Sequence, residues 1–135
     1  MIVLKNSMCE IGRLTEELER FAEGEQLPLK TGLELNLVLE EVITNIISYG
    51  YADDAEHIIK IGIKKNGSIL TVTVTDDGLP FDPLEAPPPT FSDKLEELEP
   101  GGLGIHLVLK LTDDAGYERV GEFNILTLKK NIPAE

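Results

Sequence analysis

The chain has 135 residues, 25 acidic and 12 basic side chains, a net charge of −13 and 41% hydrophobic residues. That length fits one domain with its own apolar core. The acidity argues against direct nucleic-acid binding and against an anionic membrane surface, both of which need basic patches.

Cys9 is the sole cysteine, so no intramolecular disulfide can form and a reducing, cytoplasmic compartment is expected. No apolar run reaches the roughly 18 residues of a membrane helix, and the N-terminal residues lack the apolar stretch of a signal peptide. His57 and His106 are too few to suggest a metal cluster with Cys9.

Residues 2–4 read as a short strand. Ile11, Leu14, Leu18 and Phe21 then recur at spacings of three and four, which predicts an amphipathic helix over 8–22, and Gly24 and Pro28 end it. A second helix is predicted over 29–49, capped by Gly50. Its apolar face is Leu35, Leu39, Val42, Ile43 and Ile46, and a narrow polar stripe carries Glu34, Glu41, Asn45 and Ser48. Tyr49 and Tyr51, on either side of Gly50, read as the edge of the core.

Residues 57–64 and 68–75 are rich in Ile, Val and Thr, and Asn66-Gly67 between them predicts a β-hairpin. A loop follows over 76–90 with Gly78 and five prolines, which cannot continue a helix or a central strand. A short helix is expected over 92–98. Gly101-Gly102-Leu103-Gly104 leads into a helix over 105–111, and strands over 117–120 and 124–129 turn at Gly121. Helices and hairpins in separate blocks predict an α+β fold with two layers.

Three constellations carry chemistry. Glu41 and Asn45, four residues apart, share a helix face. A half-buried carboxylate there can serve as a base, and an amide oxygen can bind a hard cation such as Mg²⁺. Asp76, at a strand end, can accept a hydrogen bond from an exocyclic amine, while Gly78 permits close backbone approach. Gly102 and Gly104 stand before a helix whose free N–H groups suit an anion. No Walker loop, dinucleotide fingerprint or protein-kinase signature set is present.

The order of these segments, EEVITNIISYGY, TDDGLPFDP and PGGLGIHLV, resembles the Bergerat-fold (GHKL) ATPase superfamily, and within it the anti-sigma factor serine/threonine kinases. The resemblance covers residues 10–130. It implies a two-layer α/β sandwich with a mixed, mostly antiparallel sheet and helices on one face, as one ATP-binding domain. It also implies ATP and Mg²⁺ as cofactors, and a STAS-domain anti-sigma factor antagonist as the protein whose serine is phosphorylated. A sigma factor is a second partner, and a homodimer is expected. By the same resemblance Glu41 is the general base and Asn45 the Mg²⁺ ligand. Asp76 and Gly78 meet the adenine, Gly102, Leu103 and Gly104 hold phosphates, and Lys94 contacts them from a mobile lid over 82–100.

The chain departs from the family pattern at Pro80, where the second glycine of the adenine motif stands, and at Pro100, where some relatives carry an arginine. Two further readings stand beside the kinase. One is a nucleotide-gated module that sequesters its partner without phosphorylating it. The other is a histidine-kinase catalytic domain, which the missing upstream dimerisation helices disfavour.

Overall fold

The computed structural model describes residues 1–85 and 102–133, with the backbone alone at Glu85 and at 102–104. The chain opens with β1 (Ile2–Lys5), followed by a 3₁₀ turn and two helices, α1 (Ile11–Gly24) and α2 (Leu29–Tyr49). The hairpin of β2 (Ile58–Asn66) and β3 (Ile69–Asp76) comes next. Then α3 (Gly102–Leu111) precedes a second hairpin, β4 (Asp114–Val120) and β5 (Phe123–Asn131).

The strands form one sheet in the order β1-β2-β3-β5-β4, and every pairing is antiparallel. The expectation of a mixed sheet is corrected to that extent. The α+β class, two layers and helices on one face stand.

Strand alternation explains the layering. Along β3, Leu70, Val72, Val74 and Asp76 turn inward and are buried, while Ile69, Thr71, Thr73 and Thr75 face the other side. Ile2, Leu4, Ile59, Ile61, Leu126 and Leu128 join the same inner face. Against it pack Leu14 and Leu18 of α1, Leu35, Val38, Leu39, Val42 and Ile43 of α2, and Ile105 and Val108 of α3. The apolar face read from the second helix is therefore the buried one.

Both hairpins turn on glycine. Gly67 has φ +66° and Gly121 has φ +59°, while Ser68 and Glu122 beside them stay at negative φ. A single left-handed residue in the first central position is the II′ pattern, which matches the strand twist.

Several boundaries differ from the sequence reading. Residues 8–10 form a 3₁₀ turn, so α1 begins at Ile11. Asp76 is the last residue of β3 and not the first of a loop, because it pairs with Asn124 across β5. The last helix begins at Gly102 rather than at residue 105, and β4 begins at Asp114 rather than at 117 because its partner strand extends far enough to pair it. The short helix expected over 92–98 lies outside the described residues.

One polar contact binds the layers. Lys130 is buried on β5, and its ammonium donates to Glu34 of α2 and to the carbonyl of Leu111 at 2.7 Å. Within the predicted stripe of Glu34, Glu41, Asn45 and Ser48, Glu34 is thus taken up by Lys130. Removing the cation strands a carboxylate that is 21% exposed, together with a helix-end carbonyl. Lys130→Ala is expected to lower stability by about 2 kcal/mol, measured by urea unfolding, and an unchanged midpoint would contradict this role.

Candidate functional site

The site is built where β3 ends. Register places Asp76 of β3 opposite Asn124 of β5, and Asn124 opposite Arg119 of β4. Directly paired residues point to the same face of a sheet, so a carboxylate, an amide and a guanidinium form one row across three strands.

Each member of the row is hydrogen-bonded. Asp76, 6% exposed, accepts at Oδ1 from the Gly78 N–H (2.9 Å) and from Asn124 Nδ2 (3.0 Å). Asn124 Nδ2 also donates to the Leu79 carbonyl at 2.8 Å, and its Oδ1 accepts from the Tyr117 hydroxyl (2.5 Å) and the Phe81 N–H (3.4 Å). Arg119 Nη1 donates to the Gly78 carbonyl at 2.8 Å. The turn over 77–81 is thereby stitched to the sheet, and the amide orientation of Asn124 is fixed by its partners.

On its other side this turn meets the end of α2. The Leu79 N–H donates to the Gly50 carbonyl at 2.7 Å. A β-carbon on Gly78 would lie 2.3 Å from the Gly50 oxygen and 2.9 Å from Asp76 Oδ1. Gly78 is therefore required by the approach of α2 itself. The backbone closeness that the sequence reading reserved for a flat ring is already in use on this side.

Asn45 lies five residues before Gly50 and Glu41 nine, so they sit about 7 and 13 Å back along the helix axis from that contact. Both are half-buried. Gly102, Leu103 and Gly104 form the first turn of α3, which packs on α2 through Ile105 and Val108. Lys94 and the rest of the expected lid beyond Glu85 lie outside the described residues.

Two features indicate what the turn can bind. Among the described residues, the hydrogen bonds to the Asp76 carboxylate land on Oδ1, which leaves Oδ2 as an acceptor for an N–H donor such as an exocyclic amine. Second, the Tyr51 hydroxyl is buried without a hydrogen-bond partner among the described residues. Burial, and then the charges of Asp76, Asp77 and Asp53, push its pKa far above the ordinary tyrosine value, so it stays a donor. A buried donor without a partner is an exception in a folded protein.

Asn124, Tyr117, Arg119 and Tyr51 were not singled out as site residues by the sequence, although Asn124 carried a signal. With Lys130 it is one of two polar members of the inward series Asn124, Leu126, Leu128, Lys130. Gly78→Ala is expected to cost about 1–3 kcal/mol, because the new methyl meets backbone that cannot rotate away. Thermal melting checks this, and an unchanged midpoint would mean that α2 and the turn are not in fixed contact.

Residues 7–130 match the family model described as a histidine kinase-like ATPase domain. The serine/threonine-protein kinase BtrW of Bordetella bronchiseptica is 25% identical over 118 residues, covering 87% of this chain and 83% of that protein. The anti-sigma F factor of Geobacillus kaustophilus is 32% identical over 101 residues, covering 73% of this chain and 68% of that protein. Among solved structures, the RsbU and RsbW domains of Rv1364c from Mycobacterium tuberculosis superpose with a TM-score of 0.64 at 12% identity, covering 98% of this chain and 33% of that one. The histidine kinase domain of the Erythrobacter litoralis EL346 blue-light activated kinase gives 0.55 at 20% identity, covering 92% and 60%. At those identities the two structures speak for the fold alone. With the family model spanning nearly the whole chain, this protein belongs to the histidine kinase-like ATPase domain family.

Proposed function

We propose that this chain is a Mg-ATP-dependent serine/threonine protein kinase and anti-sigma regulatory factor that phosphorylates a STAS-domain anti-sigma factor antagonist. The observation that carries the reading is the buried Asp76 carboxylate, locked through Oδ1 and open at Oδ2. An acceptor held that rigidly suits the 6-amino group of adenine and repels a carbonyl oxygen at that position.

The residues fit the nucleotide and its metal. Among the described residues, no group of three or more His, Cys, Asp or Glu side chains is placed to hold a metal ion. Mg²⁺ needs no such cage, since it is commonly held by one or two protein oxygens together with waters and phosphates. Asn45 supplies that oxygen in this reading. When bound, the cation neutralises charge that develops on the transferring phosphoryl group.

This chain's own residues do the rest. Asp76 fixes the base at one end of α2. The N–H groups of Gly102, Leu103 and Gly104 at the start of α3 receive phosphate oxygens, and Lys94 adds a contact from the lid. Glu41, one turn before Asn45, accepts the proton of the incoming serine hydroxyl as its oxygen attacks the γ-phosphorus in line with the departing oxygen of ADP. Catalysis of this kind is mostly positioning.

The relatives' names support the protein-kinase and anti-sigma parts of the proposal. A sigma factor and a second copy of the chain are the further partners in this reading, and the cytoplasm is its compartment. No helix among the described residues is long and apolar enough to cross a membrane.

Incubation with radiolabelled ATP, Mg²⁺ and the cognate antagonist tests the proposal. Wild type should label the antagonist, and Glu41→Ala should reduce the rate by about 10²- to 10⁴-fold while still binding ADP. Equal labelling by both proteins would remove Glu41 from catalysis. Nucleotide binding with no labelling at all would favour a nucleotide-gated binder.

A further inference from the structure

The loop over residues 51–57, between α2 and β2, ends in a histidine held on every side. His57 Nε2 lies 2.7 Å from Asp53 Oδ1, and Nδ1 lies 3.1 and 3.2 Å from the two oxygens of Asp77. Its ring stacks on Tyr51, with centroids 4.2 Å apart and planes 14° from parallel. Its backbone is tied as well: the N–H donates to Asn6 Oδ1 at 2.9 Å, and its carbonyl accepts from the Asn6 N–H at 3.1 Å.

The contacts close a ring. Tyr51 follows Gly50, whose carbonyl holds Leu79, and Leu79 leads back through Gly78 to Asp77, which His57 grips. Asp77 is the immediate neighbour of Asp76. The far side of the Asp76 turn is anchored by Asn124 and Arg119, so His57 is the corresponding anchor on the near side.

We propose that His57 is a positioning residue for the base pocket, and that as an imidazolium clasped between Asp53 and Asp77 it holds the Asp76–Gly78 turn in its nucleotide-binding geometry. The inference rests on the nucleotide reading of the site. Both ring nitrogens face carboxylate oxygens, and only the imidazolium can donate from both. Loss of the proton leaves one nitrogen as a lone pair against a carboxylate, and the clasp opens on that side.

The charges around His57 are Asp53 from its own loop and Asp77 from the end of β3. Asp76 stands behind Asp77, and the Lys5–Glu56 ion pair (3.3 Å) lies at the outer edge of the loop. The hydrogen bond to Asp53, and then that to Asp77, raise the pKa of His57 above the ordinary histidine value, against a smaller opposing effect of burial. The sign follows. The clasp is complete below the ordinary histidine range and is lost as pH rises through the elevated value.

The test is the affinity for Mg-ADP, by calorimetry from pH 6 to pH 9, for wild type and His57→Gln. Titration of the ligand's own phosphates cancels in the ratio of the two dissociation constants. His57→Gln should bind roughly two- to fivefold more weakly at pH 6, the range for a pair with exposed partners, and the two proteins should converge at pH 9. A ratio that stays constant with pH overturns the inference and leaves the site intact. Absence of Mg-ADP binding by wild type at every pH overturns the site reading and this inference together.

A second measurement needs no variant. The chain has two histidines, so the ring proton of His57 can be followed by NMR, and reciprocity of coupling requires saturating ADP to raise its pKa. An unchanged His57 titration overturns the inference.

Discussion

The pairing of Asp76 with Asn124 across β3 and β5 is the constraint on which the rest of the site depends. It buries a carboxylate at the end of a central strand and satisfies one of its oxygens from inside the protein. The second oxygen takes no hydrogen bond from the described residues. A shift of one residue between the strands would turn Asp76 to the outer face and carry Leu70, Val72 and Val74 with it. The apolar inner face therefore fixes the position of the polar site, since the same alternation places both.

Around that pairing the fold supplies two walls. One is the β4–β5 hairpin, where Tyr117 and Arg119 complete the bonding of Asn124 and of the turn. The other is the end of α2, where Gly50 and Gly78 meet so closely that no side chain fits between them. The polar stripe of α2 runs back from this contact. In the proposed reading, a nucleotide held at Asp76 extends along this helix past Asn45 toward Glu41. Lys130 and Glu34 hold α2, the end of α3 and β5 together at the opposite end of the molecule.

Much of this was legible in the residues. The periodicity of the second helix gave its buried face, Asn66-Gly67 gave the first hairpin, and the separation of helices from hairpins gave the fold class. The positions of Glu41 and Asn45 on one half-buried helix face and of Asp76 beside a strand end were legible, and their roles toward a nucleotide belong to the proposal. Other features were not, for physical reasons. Asp76 looked like a loop residue because Asp-Asp-Gly is turn chemistry, and only register showed that the strand holds it. Glu34 looked like a companion of Glu41, yet its partner Lys130 lies 96 residues away. Arg119 and His57 act through contacts between distant segments, which no local pattern reveals, and for Asn124 the alternation of β5 showed only that it points inward.

The most direct test of the account is thermal melting with Mg-ADP against Mg-GDP. Guanine presents a carbonyl oxygen where adenine presents its amine, so a carboxylate at Asp76 should accept one base and repel the other. Wild type should be stabilised by ADP, by about 2.7 kcal/mol at 100 times its Kd. GDP at the same concentration should leave the melting temperature near that of the free protein, and Asp76→Asn should lose the response to ADP. Equal stabilisation by both nucleotides, or by neither, would contradict the account.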